Sequence, residues 1–234
     1  MTPAAVEPFV DRTPGLPDVR GHLHRPGQPN GDALVLTHGA GSNADAPILV
    51  ILAQAFAETG TTVLRCELPF RQARATGPPS PRGAPTDRAG LRQAVRAARA
   101  LVSGRVVLGG HSYGGRQATI LAASEPGLAT ALLALSYPLH PPARPADFRT
   151  AHFPDVRVPV LFVHGAADPF GTIAELESAR ALIPAPTRLA AIEGVGHDLG
   201  RGRRGPRPGT ALAAHVVAEL AALLAAPVRV VRRA

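Results

Sequence analysis

The chain has 234 residues, of which 45% are hydrophobic and 18% charged, so it is long and apolar enough to bury a core. It contains one Cys and no Trp, and aromatic residues make up only 4%. These counts exclude an internal disulfide framework and a multi-Cys metal site, and they disfavour modules that stack aromatic rings on bases. We predict a single domain over residues 1–234.

The formal net charge of +8 rests entirely on arginine, because all 25 basic residues are Arg and the sequence has no Lys. A basic surface attracts nucleic acids or acidic substrates. The Arg residues are scattered rather than arranged in a stripe, which argues against a nucleic-acid partner. One local cluster is the Arg-rich loop 201–207, which we interpret either as a solvated loop or as an attractor of an anionic substrate or partner.

No secretory signal is apparent, since residues 1–20 contain several prolines and acidic residues and lack an apolar run. The longest apolar stretch, Ala211–Val228, is rich in Ala and is interrupted by His215 and Glu219. A membrane span needs about 20 mostly apolar residues. We therefore predict a core-packed helix in this stretch and a soluble, cytoplasmic protein that does not associate with a membrane.

Short aliphatic runs alternate with helical patterns along the chain. The predicted strands are Val6–Val10, Val19–His24, Ala33–Thr37, Thr62–Arg65, Arg105–Leu108, Ala131–Leu135, Val160–Val163 and Arg188–Ile192. The predicted helices are Pro47–Thr59, Thr86–Val102, 116–124, Ile173–Ile183 and Ala211–Ala226. Thr86 is the predicted N-cap of the second helix. Residues 68–85 and 199–209 are predicted to be mobile surface loops.

Continuous aliphatic strands are typical of a parallel sheet that is buried on both faces. Their alternation with helical segments indicates repeated strand–helix–strand units. We predict an α/β fold with a mostly parallel sheet covered by helices on both faces, and we expect the first two strands to be antiparallel edge strands. In such a sheet, functional residues collect in the loops that follow the carboxyl ends of the strands.

The segment Gly110–Gly114 has the pattern G-x-S-x-G between an aliphatic strand and a helix, which is the context of a nucleophile elbow. Its serine, Ser112, is a weak nucleophile unless a base takes its proton. His197 lies just beyond the last predicted strand and is the predicted base. Asp168 follows the strand before it and is the predicted acid that orients His197. Asp198 and Glu193 are weaker acid candidates.

A fourth loop, Thr37–Asn43, is rich in Gly and follows the first core strand. Such a loop can direct a backbone N–H into the site as part of an oxyanion hole. We predict that the amides of Ala40 and Tyr113 are the two donors. We interpret His38 as structural rather than catalytic.

Together these segments resemble the α/β-hydrolase superfamily, and most closely its small dienelactone-hydrolase-like branch, from Ala33 to the end of the chain. The motifs that carry the resemblance are His38–Ser42, Leu68–Arg71 with Arg74, Gly77, Pro78, Pro79 and Arg82, Gly109–Arg116, His164-Gly165 with Asp168, and Gly196-His197. The resemblance implies the α/β-hydrolase fold. The Pro-rich span from Leu135 to Pro159 is too short for a large cap domain.

The sequence departs from this branch in two places. Dienelactone hydrolases proper use a Cys nucleophile where this sequence has Ser112, so their substrate does not transfer to it. Family members often have Asp at the position of Glu67. Arg71 and Arg116 match family positions and are the candidate substrate-binding residues. We expect Arg116 to be structural and to hold the segment 68–71, with binding of a substrate carboxylate as the alternative.

These predictions describe a serine hydrolase that cleaves a small carboxylic ester or thioester through an acyl-enzyme and needs no cofactor or metal. One alternative is acyl transfer, or thioesterase action, on a carrier-bound acyl group. A second alternative is a non-catalytic interaction protein with this fold. A nucleic-acid-associated protein is a third, and its binding would fall steeply with salt. The oligomeric state is left open.

Overall fold

The computed structural model describes residues 4–200 and 209–226, which form eight strands and six α-helices. The strands are β1 (Ala5–Asp11), β2 (Val19–Arg25), β3 (Ala33–Thr37), β4 (Thr62–Cys66), β5 (Val106–His111), β6 (Ala131–Leu135), β7 (Val160–Gly165) and β8 (Thr187–Ile192). The helices are α1 (Pro47–Glu58), α2 (Pro69–Ala73), α3 (Ala84–Leu101), α4 (Tyr113–Ser124), α5 (Ile173–Arg180) and α6 (Thr210–Ala225).

The eight strands form one sheet in the order β1-β2-β4-β3-β5-β6-β7-β8. Strands β1 and β2 pair antiparallel with each other, and β2 pairs antiparallel with β4. Every other pairing is parallel. The predicted fold class, including the two antiparallel edge strands, is therefore confirmed.

Both faces of the sheet are covered by helices, as the continuous aliphatic strands predict. Along β3, Ala33 and Val35 pack into the cluster that contains α3, α4 and α5, whereas Leu34 and Leu36 pack into the cluster that contains α1 and α6. Successive side chains of a strand point to opposite faces, so a strand buried on both sides is apolar at most of its positions. No large cap follows β6, because residues 136–159 contain only the 3₁₀ turn Phe153–Asp155.

Two predictions about the segment before α3 are wrong. Helix α3 begins at Ala84 rather than after Thr86, because a 3₁₀ turn over Pro81–Gly83 runs directly into it and Pro85 suits the first turn of a helix. The predicted loop 68–85 contains the short helix α2, in which Phe70 and Arg71 are buried. The contacts of this helix, rather than its own sequence pattern, hold it in place.

Helix α6 ends the described part of the chain. Its residues Ala213, Val216, Leu220 and Leu223 are buried against the sheet and α1. This agrees with the prediction of a core-packed helix, except that residues 227 and 228 of the apolar stretch lie outside the described residues. Within residues 4–200 and 209–226, no helix combines the length and the apolar character that crossing a bilayer requires.

Strand β5 and helix α4 approach each other closely, and glycines at the contact allow it. A Cβ atom on Gly110 would lie 2.6 Å from the carbonyl carbon of Gly114, and one on Gly115 would lie 2.6 Å from the Gly110 oxygen. Both contacts are with backbone atoms, which cannot rotate away. The turn between β5 and α4 therefore requires glycine at these positions.

We predict that Gly115→Ala destabilises the protein by about 1–3 kcal/mol, because the added methyl group overpacks a backbone contact. Gly83→Ala is the matched control, since a Cβ there meets nothing within 4 Å, and it should change the free energy of unfolding by less than about 0.5 kcal/mol. Urea unfolding of both variants measures the difference. Equal stabilities for the two variants would contradict the close packing of β5 on α4.

Candidate active site

Ser112 occupies a sharp turn between β5, which ends at His111, and α4, which begins at Tyr113. Its backbone has φ 50° and ψ −114°, a conformation that non-glycine residues rarely adopt. Its amide donates to the Leu135 carbonyl of the neighbouring strand at 2.8 Å, and its own carbonyl accepts from the Arg116 amide at 2.9 Å. The turn is held from both sides, and the partly exposed Ser112 lies at its apex.

The structure brings Ser112, His197 and Asp168 together in one chain of hydrogen bonds. His197 Nε2 lies 2.8 Å from Ser112 Oγ, and His197 Nδ1 lies 2.8 Å and 3.0 Å from the two carboxylate oxygens of Asp168. Asp168 is almost fully buried, whereas His197 and Ser112 are partly exposed. With Nδ1–H donating to Asp168, the unprotonated Nε2 faces the serine hydroxyl, which is the arrangement that proton removal requires.

The loops that carry Asp168 and His197 are bound to each other. The Ala166 amide donates to the Ile192 carbonyl at 2.9 Å, and the Ala167 amide donates to the Val195 carbonyl at 3.0 Å. A Cβ atom on Gly165 would lie only 2.5 Å from the Gly196 oxygen, so glycine is needed where the loops meet. These contacts fix the distance between the carboxylate and the imidazole.

The two weaker acid candidates lie elsewhere. Asp198 is exposed and accepts a hydrogen bond from the Gly200 amide at 3.1 Å, and Glu193 is exposed in the preceding turn. Asp168, in contrast, also accepts from the Phe170 amide at 2.9 Å through the oxygen that lies 3.0 Å from His197. Of the three carboxylates, Asp168 is the one whose oxygens the structure places beside His197.

The loop after β3 passes close to Ser112 at Gly39, the residue before the predicted donor Ala40. A Cβ atom on Gly39 would lie 3.4 Å from the Ser112 Cβ, so this peptide passes directly against the nucleophile candidate. The Gly39 carbonyl accepts from His38 Nδ1 at 2.9 Å and from the Ser42 amide at 3.2 Å. Because the C=O and N–H of a trans peptide point in opposite directions, these bonds turn the Ala40 N–H away from His38.

Tyr113, the second predicted donor, is the first residue of α4, where backbone amides have no partner within the helix. Among the described residues, neither its amide nor that of Ala40 donates to a protein acceptor. His38 is fully buried, and its Nε2 accepts from the Leu68 amide at 3.1 Å. These contacts agree with the structural role expected for His38.

The segment 68–71 is held by Arg71, not by Arg116 as predicted. No hydrogen bond joins Arg116 to residues 68–71 within the described part of the chain, so Arg116 does not hold that segment. Arg71 holds it instead: its buried guanidinium donates to the carbonyls of Ala40, Ser42, Ala75 and Gly77. The Arg-rich loop 201–207 lies outside the described residues.

His111 belongs to the G-x-S-x-G motif but was not among the predicted site residues. His111 Nε2 donates to the His197 carbonyl at 2.7 Å, and the two rings lie 5.2 Å apart. Burial lowers the pKa of His111 to about 4, so the ring is neutral at pH 7 and cannot repel a protonated His197. The motif gives no signal of this contact, which forms only when β5 and the loop after β8 fold together.

Phe170 and Asp87 are further missed residues. The Phe170 ring lies 4.3 Å from the His197 ring and packs against it. Asp87 is buried, and its carboxylate accepts from the Tyr113 hydroxyl at 2.7 Å and from the Phe70 amide at 3.0 Å. Asp87 therefore ties the residue after Ser112 to α2 and α3. An acidic residue in the first turn of a helix is common, so its sequence position does not reveal this role.

Comparison with a family model identifies the class of protein. The model described as "Alpha/beta hydrolase domain" matches residues 30–225, which is most of the chain. The chain therefore belongs to the α/β-hydrolase domain family. Family membership, together with the sheet order and the elbow, assigns the protein to the hydrolase class. A fold does not determine the reaction or the substrate, which depend on the residues of the site.

Solved structures share the fold at low sequence identity. An α/β serine hydrolase homologue from Coxiella burnetii has a TM-score of 0.72 at 18% identity, covering 92% of this chain and 97% of that one. Dienelactone hydrolase from Anabaena variabilis has a TM-score of 0.69 at 21% identity, with 94% and 96% covered. Est1E from Butyrivibrio proteoclasticus has a TM-score of 0.71 at 16% identity, with 94% and 99% covered.

We predict that Ser112→Gly raises the free energy of unfolding by about 1–3 kcal/mol, because glycine adopts a positive φ without steric cost. Ser112→Ala is the control, since it removes the same hydroxyl but keeps the Cβ atom and the strain. Thermal unfolding should rank Gly above Ala. Equal stability of the two variants would show that the turn is not strained.

We predict that His111→Met lowers kcat for ester hydrolysis at least tenfold, because the His197 carbonyl loses its donor and the imidazole loses its fixed position. His111→Gln keeps an N–H at a similar distance and should retain kcat within about threefold. The measurement is kcat and KM for both variants, with KM expected to change little. Equal kcat values for Met and Gln would contradict a positioning role through the hydrogen bond.

Proposed function

We propose that the protein is a serine hydrolase that cleaves a small carboxylic ester or thioester. One observation carries the proposal: Ser112, His197 and Asp168 form an unbroken hydrogen-bonded chain, with the serine on a strained elbow. A turn of this conformation is costly, and its effect is to expose a hydroxyl beside an imidazole nitrogen. The absence of a large cap after β6 supports a small and accessible ester.

In the proposed mechanism, His197 Nε2 takes the proton of Ser112 as Oγ attacks the substrate carbonyl carbon. The tetrahedral oxyanion then accepts hydrogen bonds from the Ala40 and Tyr113 amides, which have no protein acceptor among the described residues. Asp168 holds His197 in the tautomer with Nδ1–H and stabilises the imidazolium. Its burial keeps water from competing for the Nδ1–H.

Collapse of the tetrahedral intermediate breaks the bond between the carbonyl carbon and the leaving oxygen or sulfur. His197 returns its proton to the leaving group, so an alcohol or thiol departs and the acyl group remains on Ser112. Water, activated by the same imidazole, then attacks the acyl-enzyme and releases the carboxylic acid. Every proton is carried by His197, and no metal or organic cofactor enters the proposal. The single domain and the cytoplasmic location predicted from the sequence are part of the same proposal.

The variant series that tests this mechanism uses 4-nitrophenyl acetate and butyrate as substrates. We predict that Ser112→Ala and His197→Ala each lower kcat by about 10³-fold or more, and that Asp168→Asn lowers it by about 10²–10⁴-fold because the imidazole adopts the wrong tautomer. Asp198→Asn is the matched control and should keep kcat within about threefold. Folding of each variant is checked by circular dichroism.

Two outcomes would contradict the proposal. If the wild-type protein hydrolyses neither ester nor the corresponding thioesters, it is not a hydrolase of this substrate class. If it hydrolyses them and Asp198→Asn is as damaging as Asp168→Asn, the acid has been misassigned. Product analysis with added methanol distinguishes hydrolysis from acyl transfer, since a transferase would form the methyl ester in preference to the acid.

A further inference from the structure

Helix α2 contacts both of the residues whose amides are the predicted oxyanion donors, Ala40 and Tyr113. Its two buried residues are Phe70 and Arg71. Arg71 Nη2 donates to the Ala40 carbonyl at 2.9 Å, and the Phe70 ring meets the Tyr113 ring edge-on with the centroids 5.8 Å apart. A helix of only five residues therefore lies between the two donor residues.

On the Ala40 side, the orientation of the amide and the position of the loop are fixed by different contacts. The Ala40 amide shares a peptide group with the Gly39 carbonyl, which accepts two hydrogen bonds from within the same loop. Those bonds orient the N–H. Across the described residues, no hydrogen bond joins residues 40–46 to α4. The loop is instead bonded to α2, because Arg71 donates to the carbonyls of Ala40 and Ser42 at 2.9 Å and 2.8 Å.

The guanidinium of Arg71 has an acceptor for every one of its N–H groups. Besides the two carbonyls of the loop after β3, it donates to the carbonyls of Ala75 at 2.7 Å, Gly77 at 3.1 Å and Arg74 at 3.4 Å. An arginine side chain has five N–H donors, so none is left for a substrate. Arg71 is buried as well. Its contribution is to hold backbone segments in place rather than to bind a ligand.

On the Tyr113 side, Asp87 makes the corresponding connection. One of its carboxylate oxygens accepts from the Tyr113 hydroxyl at 2.7 Å, and the other accepts from the Phe70 amide at 3.0 Å. Burial and the neighbouring carboxylate raise the pKa of the Tyr113 phenol, so it remains a donor at pH 7. Asp87 is almost fully buried, so water does not compete for these bonds. One carboxylate thus binds both Tyr113 and α2.

We propose that Arg71 and Asp87 are positioning residues of the oxyanion hole, which fix the separation of the Ala40 and Tyr113 amides through α2. This inference rests on the serine hydrolase function proposed above. Oxyanion donors act by lying in advance where the charge develops. Because a hydrogen bond to an ionised acceptor is stronger than one to a neutral carbonyl, a displaced donor weakens the transition state more than the bound substrate.

The test compares two substrates that differ in the one atom that the hole binds. They are 4-nitrophenyl butyrate and its thionoester, in which sulfur replaces the carbonyl oxygen, and both release 4-nitrophenol. Sulfur is a weak hydrogen-bond acceptor, so the donors stabilise the intermediate of the ester far more than that of the thionoester. The ratio of the two kcat/KM values therefore reports donor placement. Loss of folded protein lowers both values equally and leaves the ratio unchanged.

We predict that the wild-type protein prefers the ester by about 10²-fold or more, and that Arg71→Gln reduces this preference about tenfold or more. Arg74→Gln is the matched control, because this exposed arginine of the same segment donates only to the Pro78 carbonyl. It should keep the preference within about twofold of wild type. Equal preferences in Arg71→Gln and Arg74→Gln overturn the inference, as does a wild-type protein that hydrolyses both substrates equally well.

A second variant tests the Asp87 connection with little risk to the fold. Tyr113→Phe removes only the hydroxyl that donates to Asp87 and keeps the ring and the backbone amide. We predict that it reduces the ester preference about threefold or more, because one buried hydrogen bond is lost. The control is Tyr137→Phe, in which the other tyrosine loses a hydroxyl that donates to the Arg149 carbonyl at 2.7 Å. An equal preference in the two variants overturns the role of Asp87.

A measurement that needs no activity separates failure of this inference from failure of the proposed function. The backbone order parameter of the Ala40 amide, from ¹⁵N relaxation, should be about 0.85 in the wild type and in Arg74→Gln, and below about 0.6 in Arg71→Gln. Equal values in all three proteins overturn the inference whether or not esters are hydrolysed. If the values differ as predicted and neither substrate is hydrolysed, the positioning role of Arg71 is supported and the proposed function is wrong.

Discussion

The backbone at Ser112 is the constraint on which the rest of the site depends. A positive φ at a non-glycine residue persists only when the surrounding structure enforces it. Here the Leu135 carbonyl holds the Ser112 amide on one side, and the glycines at positions 110 and 115 allow α4 to pack closely on β5. The same turn directs the hydroxyl outward and leaves the Tyr113 amide without a partner. The proposed nucleophile and the proposed oxyanion donor at Tyr113 are therefore consequences of one backbone conformation.

The parallel sheet then determines which residues meet Ser112. Because β3, β5, β7 and β8 run parallel, their carboxyl ends lie at one edge, and the four loops that follow them converge there. Each loop contributes one component: the Ala40 amide, Ser112, Asp168 and His197. Contacts between loops, such as Ala167 to Val195 and His111 to His197, keep His197 within hydrogen-bond distance of Ser112 and Asp168. The orientation of the His197 imidazole therefore depends on the neighbouring loops as much as on the loop that carries His197.

Much of this arrangement follows from the local sequence pattern. Short aliphatic runs identify buried strands, and the loops that carry the site residues directly follow those runs. The short strands, their burial on both faces and the order of Ser112, Asp168 and His197 could be predicted in this way. The role of Arg71 could not, since two of its acceptors, the carbonyls of Ala40 and Ser42, lie in a separate loop. Helix α2 was missed because its five residues are held by α3 and the loop after β3. Asp87 and His111 act through partners far away in sequence, which no periodicity reveals.

The central proposal is that Ser112 is an activated nucleophile, and its most direct test is covalent labelling with a fluorophosphonate followed by mass mapping of the adduct. We predict one adduct per chain on Ser112, absent in Ser112→Ala and formed much more slowly in His197→Ala and Asp168→Asn. Folded wild-type protein that forms no adduct, or an adduct on another residue, would contradict it. The labelling rate needs no knowledge of the natural substrate, so it tests the hydrogen-bonded chain itself.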